Sequence, residues 1–182
     1  MGMIKNQARR RRLSMAYEIR EMRISDAKSI VRHKHIVTEA YPDILATAIE
    51  NREITVEEEE ATIKSLGTND LGIVAVDGDT VIGMLNMRQD HRKKFEHIAQ
   101  FGISLQPDYT GSGTGTAMIE RALEFAKAND IIEKVILTVF SNNPGAIKLY
   151  EKLGFKEEAV LKNQVKLKEG YTNLVYMSNF LE

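Results

Sequence analysis

The sequence predicts a single α/β domain built on a mixed sheet with helices on both faces. Three observations carry this. Residues 71–87 form two apolar runs around Asp77-Gly78-Asp79, a turn whose positive dihedrals suit a hairpin. Residues 95–105 read as a long strand that gives way to a glycine loop and then to a helix over residues 115–127. Residues 144–153 read as a helix capped by Asn143, with Pro144 at its first position and Gly154 just past its end. Strands mostly in runs, with helices to cover the faces, define this class.

The other elements follow in order. Residues 17–23 read as a first strand, with Ile19 and Met22 among its apolar positions. Ser25-Asp26 offers a helix cap, and Ile30, Val31, Val37 and Ala40 give a partial helical stripe that stops before Pro42. The pattern does not place residues 41–54. Thr55 with Glu58 matches a capping box, and the acids from Glu57 to Glu60 suit the positive end of a helix dipole, as a solvated helix end would. Gly67 is the expected stop. Residues 88–94 form a charged loop, and Met118, Ala122 and Phe125 share one stripe of the helix after the glycines. Residues 134–140 are a buried strand by their Val, Ile, Leu and Val, and residues 155–161 and 171–181 close the chain as strands. No repeat or linker divides residues 17–182.

Composition narrows the class of protein. With 182 residues, 43% apolar and 28% charged, the chain can bury a sizeable core. No apolar run approaches the roughly 18 residues of a membrane span. Zero cysteines exclude disulfides, a thiolate metal site and a cysteine acyl-enzyme. No His/Asp/Glu spacing argues for a metal. The net charge of −1 hides an asymmetry: residues 1–16 carry five basic residues and no acid, leaving 20 basic and 26 acidic residues, a net of −6, for the rest. The run of Arg9, Arg10, Arg11 and Arg12 could touch RNA or an acidic partner, and a solvated, disordered arm is the expectation. No apolar stretch of a secretory signal follows it. Cytoplasmic location is the expectation.

The loop after Leu105 contains Thr110-Gly111-Ser112-Gly113-Thr114-Gly115-Thr116. Glycines let backbone approach a ligand closely, and the helix that follows presents unpaired amides with the positive end of its dipole. This is an anion site in outline. It is not a P-loop, since no lysine follows the glycines, nor a dinucleotide fingerprint, since Thr116 stands where the third glycine belongs. His33, His35 and His91 are expected at the surface.

With Asn143, Ala146, Leu149, Tyr150, Gly154 and Phe155 downstream of Gly113 and Gly115, residues 17–181 resemble the GNAT superfamily of N-acetyltransferases. The runs from His97 to Ile103 and from Leu137 to Phe140 look closest to bacterial members that acetylate amino acids and small amines. The resemblance implies a mainly antiparallel mixed sheet with a splayed central strand pair. It implies acetyl-CoA as acyl donor, with Ile103 and Leu105 offering backbone to pantetheine and the residues from Thr110 to Thr116 holding pyrophosphate. Asn143 and Ala146 would border the pantetheine arm, and Tyr150 would protonate the leaving thiolate. Acyl transfer needs that proton, a neutral amine and a site for the developing oxyanion.

Two departures from the family pattern stand out. Residues 106–116 carry no basic side chain, so the hydroxyls of Thr110, Ser112, Thr114 and Thr116 are expected to assist, with Lys148 and Lys152 as candidates for the 3′-phosphate. Ala99 and Thr138 stand where some members carry a glutamate base, which leaves His97, two residues from Ala99, as the candidate. The expected activity is direct acetyl transfer to a small primary amine such as an amino acid. A protein N-terminus or lysine as acceptor, and a CoA-binding module without catalysis, are the alternatives. Pairing of the C-terminal strands between two copies would give a homodimer.

Overall fold

A computed structural model describes residues 17–46 and 54–181. The arginine arm and part of the unplaced connection lie outside the described residues. The chain forms β1 (Glu18–Glu21), a 3-10 turn, α1 (Ala27–Ala40), α2 (Val56–Lys64), β2 (Leu71–Asp77) and β3 (Thr80–Gln89). After these come β4 (Ile98–Leu105), a second 3-10 turn, α3 (Thr114–Lys127), β5 (Lys134–Phe140), α4 (Pro144–Lys152), β6 (Lys156–Leu167) and β7 (Gly170–Phe180). The strands make one seven-stranded sheet in the order β1-β2-β3-β4-β5-β7-β6.

Only β4 and β5 run parallel, and they pair over just Ile98↔Lys134, Ala99↔Val135 and Gln100↔Ile136. Beyond that point β4 continues on β3 and β5 continues on β7. The sheet is therefore split down its middle over half the length of both strands, as the resemblance implies.

Alternation distributes the core. Ile73 and Ala75 of β2 face one side with Leu85, Phe101 and the α3 residues Met118, Ile119 and Ala122. Val74 and Val76 face the other, with Ile30 of α1 and Ile63 of α2. A strand buried on both faces reads as an unbroken apolar run, which is what residues 71–76 show. The hairpin turn forms at Gly78, with φ +58°.

Several expectations are corrected. β3 runs on through Arg88 and Gln89, so the charged loop is shorter. β4 begins at Ile98 rather than at residue 95, because residues 92–96 turn back on themselves: the Phe95 amide donates to the Arg92 carbonyl and the Ile98 amide to the Phe95 carbonyl. β6 extends to Leu167, since β7 supplies it a partner across two irregularities in register. Asp26 turns its carboxylate back to the Arg20 guanidinium and the Arg23 amide instead of capping α1. Thr55 and Glu58 do form the capping box. Glu59 is not a solvated acid: it is buried and ion-paired with Lys34 of α1. His33 is likewise buried, although His35 and His91 are exposed.

Two glycines set how closely α3 approaches the sheet. A Cβ at Gly83 would lie 2.4 Å from Leu105 Cδ2, and one at Gly115 would lie 3.1 Å from Leu105 Cδ1. Leu105 is thus hemmed in from β3 and from the first turn of α3. Gly102, on the same sheet, has open space around its Cβ position. Gly83→Ala should cost about 1–3 kcal/mol of stability by overpacking, and Gly102→Ala close to nothing. Urea unfolding of both variants checks the ranking.

Candidate active site

The split in the sheet leaves polar backbone without a strand partner. The Gln106 amide donates to the Ile82 carbonyl at 2.9 Å. Alternation in an antiparallel ladder then directs the backbone groups of Ser104 and Gly102 toward β3, and those of Ile103 and Leu105 toward the open side. Their side chains divide oppositely to Ser104: Ile103 and Leu105 pack against the cluster under α3 and α4, while Ser104 Oγ meets His33 of α1.

A cleft of about 580 Å³ opens along this edge. Its floor is Ile103, Ser104 and Leu105; one wall is Thr110, Gly111, Gly113, Gly115 and Thr116, and the other is Asn143, Ala146, Leu149 and Tyr150. Tyr41, Ile44 and Leu45, just after α1, close it from above. The Asn142 side-chain amide donates to the Asp43 carbonyl at 2.9 Å and ties this roof to the start of α4. A second compartment of about 270 Å³ lies on the α1 side, lined in part by Lys34, Thr38, Met84 and Asn86. The two share Leu45, Ile103 and Ser104.

Gly111 (φ +69°) and Gly113 (φ +89°) hold the left-handed conformation that shapes the loop, and Gly113 is the N-cap of α3. The first amides of α3 face the cleft with no side-chain cap over them. The expected hydroxyl contribution shrinks, however. Thr110 Oγ1 donates to the Pro107 carbonyl, and Ser112 Oγ donates to the Tyr109 carbonyl at 2.6 Å while lying 2.7 Å from Thr114 Oγ1. Thr114 is fully buried. These three hydroxyls fix the loop, and having donated their protons they have none for an anion. Only Thr116 remains of the four. No side chain among the described lining residues of the larger cleft is charged. Lys148 and Lys152 are exposed on α4 and border neither compartment.

Asn143 accepts the Ala146 amide at 3.2 Å as the helix cap, which leaves its NH₂ available toward the cleft. Tyr150 is buried at the cleft wall and packs edge-on against Phe101 and Phe155, with ring centroids 6.1 and 6.0 Å away. Its hydroxyl makes no hydrogen bond to the described residues. Burial pushes its pKa up to about 12.

His97 is not brought to the site. It precedes β4 at the zipped end of the β4/β5 pair, and its carbonyl accepts the amides of Glu133 and Lys134. Distance along the strand separates it from Ile103, so it is withdrawn as a base. Sequence reasoning missed His33, Ser104 and the roof residues Tyr41, Ile44 and Leu45. Ile30, His33 and Val37 fall at helical spacing on the inward stripe of α1, a signal that would have placed His33 inside.

The residues that match the family model for the acetyltransferase (GNAT) family are 34–155, and the chain belongs to that family. It is 30% identical over 106 residues to an L-amino acid N-acetyltransferase of Escherichia coli, a match over 58% of this chain and 65% of the relative. It is 28% identical over 110 residues to the E. coli spermidine N(1)-acetyltransferase, over 59% of this chain and 56% of that one. The matches thus span less than two thirds of these relatives' lengths. A GNAT-family acetyltransferase from Streptococcus pneumoniae superimposes with a TM-score of 0.86 at 26% identity, covering 92% of this chain and all of the other. Among the described residues no three His, Cys, Asp or Glu gather as metal ligands would, and no helix is long and apolar enough to cross a membrane.

Burial holds the His33 pKa down at about 4, with the Lys34 charge adding to the effect. In the unfolded chain the same group titrates near 6.5. Between these values the unfolded state binds the extra proton, so this stability is complete above pH 6.5 and is lost as pH falls toward 4. Urea unfolding at pH 7 and pH 4.5 should show the loss, and His33→Phe should flatten it.

Proposed function

We propose that the chain transfers the acetyl group of acetyl-CoA directly to a primary amine of a small molecule such as an amino acid. The observation that carries this is a single continuous cleft. It joins uncapped helix amides, an unpaired strand edge and the hydroxyl of Tyr150, which has no hydrogen-bond partner among the described residues. Pyrophosphate fits the α3 amides at Gly113, Gly115 and Thr116, where the helix dipole favours anions. Pantetheine fits the open edge of β4, hydrogen-bonding the Ile103 and Leu105 backbone as a missing strand would. The thioester oxygen would then meet the Leu105 amide, a donor fixed in place by the strand. The second compartment, about 270 Å³ and reaching the same point of β4, suits a small acceptor.

The chemistry asks little of the protein beyond placement. A neutral amine attacks the thioester carbon, its extra proton leaves, and the carbon–sulfur bond breaks as sulfur is protonated. Tyr150 supplies that last proton. Its raised pKa keeps the hydroxyl protonated through the whole working range of pH. The burial that weakens the phenol as an acid also raises the proton affinity of a thiolate leaving into the same wall.

Two expected outcomes test this reading. Acetyl-CoA should raise the melting temperature by mass action, and Gly113→Asp, which adds a Cβ where φ is +89° and a repelling charge at the helix start, should abolish the shift. No shift at millimolar acetyl-CoA would refute the site. A shift without release of CoA across a panel of amines would leave a binding module only. For an amine that is turned over, Tyr150→Phe should lower single-turnover rates by about 10²–10⁴ with little change in acetyl-CoA affinity. The parent rate should climb as the amine loses its proton and stay level up to about pH 11, because Tyr150 does not ionise until about 12.

A further inference from the structure

His33 is fully buried, its Nδ1 has no partner, and its Nε2 lies 2.9 Å from Ser104 Oγ. The ring is neutral at physiological pH, so one nitrogen carries the proton. Were it Nδ1, a buried N–H would be orphaned, which is rarer and costlier than an unfilled lone pair. The network therefore assigns the proton to Nε2, which donates to Ser104 Oγ. Ser104 must then direct its own proton elsewhere. Its hydroxyl makes no other hydrogen bond among the described residues, and the residue borders both compartments.

The charges around this pair favour the same kind of ligand. On α1 the neighbour is Lys34, on α2 Glu59 sits behind Lys34 as its ion-pair partner, and β3 and β4 present Met84, Asn86, Gly102 and Ile103 beside Ser104, none of them charged. Glu59 is 1% exposed and does not border the compartment, so the positive end of the pair faces the cavity. Lys34 is the only charged side chain among the described lining residues. Beside Ser104, Thr38 and Asn86 are the compartment's uncharged polar groups, and Val37, Leu45 and Met84 give it apolar walls.

We propose that Ser104 and Lys34 anchor a carboxylate of the acceptor, with His33 fixing Ser104 as a donor toward it. The assignment rests on the acetyl-transfer reading and deepens it. The acceptor is an amine that carries a carboxylate and a compact apolar side chain. A polyamine brings a second cation and finds only Lys34.

The test compares leucine, 3-methylbutylamine (the same skeleton without the carboxylate) and spermidine as acceptors, by CoA release. Leucine should have the highest kcat/KM. Ser104→Ala and Lys34→Met should each lower leucine kcat/KM, through KM, about ten- to a hundredfold more than they lower 3-methylbutylamine kcat/KM, as loss of a hydrogen bond to a charged group does. His33→Gln, whose amide can still donate to Ser104, should keep more of the leucine preference than His33→Leu. Spermidine or 3-methylbutylamine matching leucine in the parent would overturn the assignment alone. So would Ser104→Ala and Lys34→Met lowering every amine equally, the mark of a merely structural role. CoA release from no amine at all would overturn the acetyl-transfer reading and this assignment with it.

Discussion

The divergence of β4 from β5 is the constraint on which the site depends. Strands that pair for three residues and then part leave a row of amides and carbonyls facing no partner. Buried backbone cannot remain so without cost, and an extended ligand arm with its own amides can satisfy it. Each strand finds support on its outer flank: β4 is held by β3 along its whole length, and β5 by β7. Closing the gap would break neither of those ladders. Phe101 of β4, Tyr150 of α4 and Phe155 pack edge to face with one another in the core beside it. The catalytic candidate thus lines the cleft and packs into the core at once.

The glycine loop depends on the same geometry. Leu105 ends β4 between Gly83 and Gly115, and its fit brings the α3 N-terminus down to the mouth of the gap. The hydroxyls of the loop are spent internally, on carbonyls and on one another, so the loop arrives rigid and its amides point outward. On the proposed reading, anion recognition here would be a property of backbone. This explains how a loop without a basic residue can still suit a pyrophosphate.

Much of this was legible in the sequence because it rests on local rules. Asn143, Pro144 and Gly154 mark a helix by capping chemistry alone, and the hairpin at Gly78 follows from turn geometry. Tyr150, Gly113 and Gly115 were picked out by the resemblance to the family's motifs, and the structure brings them to one cleft. What sequence could not convey is tertiary. Glu59 reads as one acid in a run of four until Lys34 packs over it. His97 reads as a neighbour of the site until the point of divergence is known, and that point is set by which strand ends are zipped. His33 was hidden by polarity: a histidine among charged residues suggests surface, although its spacing from Ile30 and Val37 points inward. The availability of the loop hydroxyls depends on folded distances that composition cannot supply.

The central claim is that acetyl-CoA fills the gap between β4 and β5 and completes its backbone hydrogen bonding. Amide NMR of the labelled protein titrated with acetyl-CoA tests this most directly. The account predicts that the largest shifts and the greatest gains in exchange protection fall on Ile103, Leu105, Gly113, Gly115 and Thr116, with the β2–β3 hairpin unmoved. Perturbations confined to other surfaces, or saturable binding that leaves the Ile103 and Leu105 amides exchanging as before, would contradict it.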